Sequence, residues 1–163
     1  MSSAGGQERS DLGNVTARLA ELGVSLPTPA KPLAAYVPAV RTGTLVYTAG
    51  QLPLEAGELV HTGKVGAAVT PEQAKAAARV CALNALAAID ALVGIDNVTR
   101  VVKVVGFVAS APGFSGQPGV VNGASEFLGE VFGEAGSHTR SAVGVSELPL
   151  DAPVEVELIV EVK

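Results

Sequence analysis

The sequence predicts an α+β sandwich in which two helices cover one face of a mixed sheet. Three observations carry this expectation: a capped run of small apolar residues at helical spacing after Thr70, a valine-rich strand pattern directly behind it, and a strictly alternating strand at the C-terminus. In chain order the segments of the domain read β-β-α-β-α-β-β, an order that suits helices packed on one side of a sheet.

Val15, Leu19 and Leu22 recur at helical spacing and are stopped by Gly23. A short helix is therefore expected before Leu26-Pro27-Thr28-Pro29, where proline restricts itself and its predecessor. Residues 1–10 are polar and Gly-rich, with too little apolar surface to offset ordering, and are expected to form a disordered tail. Residues 1–31 thus read as an extension and 32–163 as the domain. From Tyr36 an extended segment, a turn at Arg41-Thr42-Gly43 and a strand over residues 44–49 make a hairpin. Gly50-Gln51-Leu52-Pro53 breaks the strand, Glu55-Ala56-Gly57-Glu58 supplies a loop, and a short extended piece follows at residues 59–61.

In Thr70-Pro71-Glu72-Gln73 the threonine can cap, the proline suits the first helical position and the glutamine completes a capping box. The stripe Ala74, Ala78, Cys81, Ala85, Ile89 and Leu92 then permits close packing on a sheet, and Gly94 ends the helix. Residues 98–108 are rich in valine and read as a buried strand in which Lys103 must reach an edge or a partner. Beyond the turn at Pro112-Gly113, residues Val121, Ala124, Phe127, Leu128 and Val131 predict a second long helix over residues 120–133. Gly136 separates it from a strand at residues 140–145. The last strand, residues 154–162, alternates Val154, Val156, Leu158, Val160 and Val162 with Glu155, Glu157, Ile159 and Glu161.

A chain of 163 residues that is 48% hydrophobic fills one core, and its low charged fraction of 17% leaves apolar surface that a homo-oligomer would bury. The net charge is −5 and the 11 basic residues are scattered, so the electrostatic footprint of a nucleic-acid binder is missing. The start of the chain lacks the basic and apolar stretches of a leader, and no segment reads as a run of roughly 20 apolar residues. A cytoplasmic protein with no membrane partner is expected. The single cysteine, Cys81, lies in the helical stripe as a small core residue, and His61 and His138 lack the spacing of a metal pair. Neither a metal nor an organic cofactor is expected.

Gly113-Phe114-Ser115-Gly116-Gln117 is near a nucleophile elbow, but Gln117 stands where the second glycine belongs, and the segment reads as a loop. His61 reads as a surface residue, whereas His138 precedes the strand that Arg140 opens. Arg140 follows a glycine-marked turn, a place from which a guanidinium can grip a carboxylate through two parallel hydrogen bonds or form a salt bridge with a nearby acid. Glu155 lies on the strand face opposite the valines. It is placed either to position a water and exchange protons or, with Glu157 and Glu161, to form a solvated face.

The run Tyr47-Thr48-Ala49-Gly50-Gln51-Leu52-Pro53, the segment Val121-Asn122-Gly123-Ala124 leading to Phe127, the stretch Thr139-Arg140-Ser141-Ala142-Val143, and Leu148-Pro149 followed by Val154-Glu155-Val156-Glu157 resemble the RidA/YjgF family of enamine/imine deaminases. That family also carries the label endoribonuclease L-PSP. The resemblance covers residues 32–163. It implies a chorismate-mutase-like fold assembled as a homotrimer around a central barrel, with clefts between neighbouring subunits. It further implies that Arg140 binds the carboxylate of a 2-imino acid and that Glu155 places the attacking water, with 2-keto acid and ammonia as products. Tyr36, Gly50, Asn122 and Ala142 are implied to line the same cleft. Three departures stand out: Ala142 occupies the place of a cysteine and Gly144 that of a glutamate in the deaminases, and the N-terminal prefix resembles a longer branch. A trimeric binding module for small carboxylates such as 2-keto acids is the alternative that Ala142 favours. Ribonuclease activity fits an acidic chain poorly.

Overall fold

The computed structural model describes residues 14–29, 31 and 35–163, and the expected tail at residues 1–10 lies outside them. The elements are α1 (Val15–Glu21), β1 (Ala39–Thr42), β2 (Leu45–Thr48), β3 (Leu54–Glu55), β4 (Glu58–Leu59), α2 (Pro71–Val93), β5 (Val98–Ala109), α3 (Gln117–Phe132), β6 (Thr139–Val145) and β7 (Val154–Val162). The main sheet runs β1-β2-β7-β5-β6. Only β5 and β6 are parallel, joined by a crossover through α3, so the sheet is mixed as expected.

The helix signals hold at atomic level. Thr70 Oγ1 accepts from the Gln73 backbone N–H at 3.1 Å while Gln73 Oε1 accepts from the Thr70 N–H at 3.0 Å, with Pro71 in the first turn. Ala74, Ala78, Cys81, Ala85 and Ile89 are fully buried, whereas Leu92, in the last turn, emerges to 45% exposure. Small side chains bring α2 and α3 together so closely that a Cβ at Gly123 would overlap the carbonyl oxygen of Lys75. Helix α2 is also long and apolar enough, by length and composition, to cross a membrane; here its buried stripe packs in the core.

Two turns are tighter than the sequence reading. Pairing of Thr42 with Leu45 leaves only Gly43-Thr44 between β1 and β2, Gly43 having φ 58°. Glu55 pairs with Glu58 across Ala56-Gly57, both with positive φ, so the expected loop and extended piece form a small ribbon instead. At the N-terminus, Val15 and Leu19 of α1 join the core, and the Asp96 carboxylate accepts from Thr16 N–H at 2.9 Å and Thr16 Oγ1 at 2.8 Å. The prefix is thereby docked on the domain.

The two faces of the sheet differ. Val154, Val156, Leu158, Val160 and Val162 are buried beneath the helices, with Val104 and Val108 beside them. The other face carries Val40, Tyr47 and Ile159 in register across β1, β2 and β7, and Phe107 paired with Val143 across β5 and β6, with Val40, Tyr47 and Val143 exposed. That is the apolar surplus anticipated from composition.

Candidate active site

Arg140 sits one residue into β6, an edge strand, and pairs with Val104, which in turn pairs with Leu158. Directly paired residues point to one side of a sheet, so Arg140 projects to the helix side. There it meets α3: Nη1 donates to Ser125 Oγ at 3.1 Å and Nη2 donates to the Pro118 carbonyl at 3.1 Å. Pro118, Asn122 and Ser125 recur at four and three residues, which puts Asn122 on the face of α3 that cradles the guanidinium. Ala142 and Gly144 follow Arg140 on the same side, opposite Gly106 and Val108. A Cβ at Gly144 would lie 2.8 Å from Gln117 Nε2, so its absence admits the Gln117 amide, which donates to Ser110 Oγ and the Phe114 carbonyl. At this point a neutral amide, rather than a carboxylate, approaches the strand.

Among the described residues no acid forms a salt bridge with Arg140; the four ion pairs are Arg18–Glu21, Lys64–Glu147, Lys75–Glu126 and Arg79–Glu130. The salt-bridge reading of Arg140 is thus set aside. Its partners are two neutral oxygens, and three of its five N–H groups stay unspent.

Glu155 is in register with Phe107 and therefore projects from the opposite, open face. It leans over Gly50, where a Cβ would overlap its Oε1. Gly50 is held there because Gln51 exchanges two backbone hydrogen bonds with Val156, of 2.8 and 3.0 Å, and because the buried Asn84 amide donates to the Leu52 and Leu54 carbonyls. Burial, and next to it the charge of Glu157, push the Glu155 carboxyl above its ordinary value. Its alternation partner Glu161 is exposed, so the three glutamates are not equivalent.

Arg140, Asn122 and Ala142 are thus gathered on one face, and Gly50 and Glu155 on the other. Within one chain the sheet lies between the two groups, so Arg140 and Glu155 are not brought together. Tyr36 is half exposed before β1 and makes no hydrogen bond with either group. Cys81 is buried in the core with its thiol pushed up by burial, and then by Glu155, as an inert core residue should be. Among the described residues no cluster of side chains suited to a metal ion occurs. Ser125 escaped the sequence reading because a serine inside an apolar helical stripe carries no local signal. Only its place one and two turns from Asn122 and Pro118, beside a strand opening on arginine, could have found it.

The chain has relatives of known family and fold. The Endoribonuclease L-PSP family matches residues 26–162. Protein TCP17 of Trypanosoma cruzi is 45% identical over 151 residues, which cover 91% of this chain and 94% of that protein. The crystal structure of Atu1372 from Agrobacterium tumefaciens, a protein of unknown function, superposes with a TM-score of 0.85 at 43% identity, covering 95% of this chain and 97% of the other. The YjgF gene product of E. coli aligns with a TM-score of 0.58 at 27% identity, over 84% and 94% of the two chains. The chain belongs to the endoribonuclease L-PSP family, the family that includes YjgF.

Proposed function

We propose that this protein is an enamine/imine deaminase-like hydrolase that converts small 2-imino acids to 2-keto acids and ammonia, working in the cytoplasm as a homotrimer. The observation that carries the reading is a guanidinium tethered by two neutral oxygens with no carboxylate partner among the described residues. Such a group offers two parallel donors to a carboxylate at a place where α3 already fixes its plane. The second support is the open sheet face, whose exposed Val40, Tyr47 and Val143 call for a covering copy of the chain.

Because Arg140 and Glu155 face opposite ways, the proposed site joins Arg140 of one copy to Glu155 of another. The imine's carboxylate rests on Arg140. Water then adds to the imine carbon, giving one proton to Glu155, which passes it to nitrogen. A second proton transfer lets the C–N bond break, and ammonia departs from the 2-keto acid. A carboxyl held above its ordinary value suits this alternation of base and acid. In the test, hydrolysis of 2-iminopropanoate by the purified protein is compared with that by Arg140→Ala. Turnover is expected to vanish in the variant, and equal rates would remove the reading.

Ala142 favours a second reading, a trimeric module that binds small carboxylates without turning them over, because a methyl beside Arg140 can neither donate nor accept a hydrogen bond. Calorimetry with 2-ketobutyrate separates the two: binding that depends on Arg140, with no turnover, selects the module. The ribonuclease label of the family receives little support from a chain of net charge −5 in which Arg18, Lys64, Lys75 and Arg79 are tied to glutamates.

A further inference from the structure

His138 and Ser125 form a hydrogen-bonded chain with Arg140. Ser125 Oγ lies 2.8 Å from His138 Nε2 and receives Arg140 Nη1 at 3.1 Å, while His138 Nδ1 lies 2.6 Å from the carbonyl oxygen of Gly136. A carbonyl only accepts, so Nδ1 carries a ring hydrogen; when the imidazole is neutral, Nε2 is then an acceptor and the Ser125 hydroxyl donates to it. The lone pairs of Ser125 consequently face the guanidinium, whose hydrogens need them. Were the imidazole turned or absent, the hydroxyl could rotate its own hydrogen toward Arg140 and the pairing would be lost.

We infer that Ser125 and His138 are positioning residues that fix the plane of Arg140 for carboxylate recognition. A nucleophilic role for this serine and histidine is disfavoured by its place. Ser125 lies within α3, where backbone N–H groups are engaged along the helix, so none is left to hold an oxyanion beside its Oγ. The anchored hydroxyl and the Pro118 carbonyl instead take one N–H from each terminal nitrogen. One hydrogen on each of those nitrogens, and that on Nε, remain for a ligand. Gly136 contributes a further constraint, being buried so tightly that a Cβ would press on the Leu128 carbonyl, which keeps the acceptor of His138 in place.

This inference rests on the reading of Arg140 as a carboxylate anchor, and the test keeps the two apart. Calorimetry compares 2-ketobutyrate with its neutral amide in the wild type, Ser125→Ala, Ser125→Thr and His138→Ala. Ser125→Ala is expected to weaken the carboxylate about tenfold, the scale of one hydrogen bond to a charged group. Ser125→Thr, which keeps the hydroxyl, should restore it, and His138→Ala should show a smaller loss in the same direction. Binding of the amide should not change. Loss of both ligands together, or none in Ser125→Ala, overturns the inference. If the wild type binds no 2-ketobutyrate, the anchor reading fails and positioning is judged on the ligand-free protein by side-chain nitrogen NMR. Slow rotation of the Arg140 guanidinium in the wild type and Ser125→Thr, and fast rotation in Ser125→Ala, supports positioning; equally fast rotation in all three refutes it.

Discussion

Gly123→Ala tests whether the site depends on how closely α2 and α3 approach. An added Cβ at this position would overlap the Lys75 carbonyl oxygen and crowd its carbon at 2.9 Å, and neither is the movable tip of a side chain. Relief requires the two helices to part. Overpacking of this kind costs about 1–3 kcal/mol, and the upper end applies because the obstacle is backbone. Alanine's better helix propensity returns about 1 kcal/mol, leaving a net loss of about 2 kcal/mol. Gly129→Ala, in the same helix, meets nothing within 4 Å and should instead gain about 0.5–1 kcal/mol. Thermal unfolding should place the two variants on opposite sides of the wild type, each kcal/mol moving the midpoint by about 2–4 °C for a chain of this size. The displacement reaches function too, since α3 carries Pro118 and Ser125, so Gly123→Ala should also bind 2-ketobutyrate more weakly than Gly129→Ala does. Equal midpoints for the two variants would refute the close approach.

Glu155 binds its proton more tightly folded than unfolded, so the folded chain holds more protons over that interval and stability falls as pH rises through the carboxylate range. Glu155→Gln should flatten that fall and be the more stable protein at neutral pH, as urea titrations across pH 4 to 8 would reveal; an unchanged slope contradicts the assignment. Thr70→Ala removes the hydroxyl that caps the Gln73 N–H, leaving the backbone N–H of residue 70 on Gln73 Oε1, and should cost about 1 kcal/mol, with Thr70→Ser nearly silent in the same measurement. Cys81, buried with its thiol pushed up, should react with iodoacetamide only as fast as the fold opens, and rapid labelling of the native protein would count against its placement.

What could be read from the sequence was whatever depends on neighbours in the chain. The capping box at Thr70, the stripe from Ala74 to Ile89 and the alternation of β7 all express spacing, and each survives in the fold, while Leu92, the last member expected of that stripe, emerges to the surface. The outward face of Glu155 was legible for the same reason. The side taken by Arg140 was not, because it depends on the register of β6 against β5, which pairs Arg140 with Val104 rather than with Lys103 or Val105. Strand register is fixed by the whole sheet. The Ser125–His138 link joins residues 13 apart across a helix end and became visible only once α3 had folded back along β6. The small β3–β4 ribbon was blurred because two-residue turns leave little pattern on either side.

The opposite outlook of Arg140 and Glu155 has a consequence for inheritance. On the proposed reading, a chain lacking the arginine can still lend its glutamate, and a chain lacking the glutamate can still lend its arginine. A cell carrying one allele of each kind would assemble mixed as well as unmixed trimers, and about a quarter of all clefts would be whole if chains mix at random. Two alleles that are each silent alone would then support activity together, a pattern of intragenic rescue that a site built within one chain could not produce.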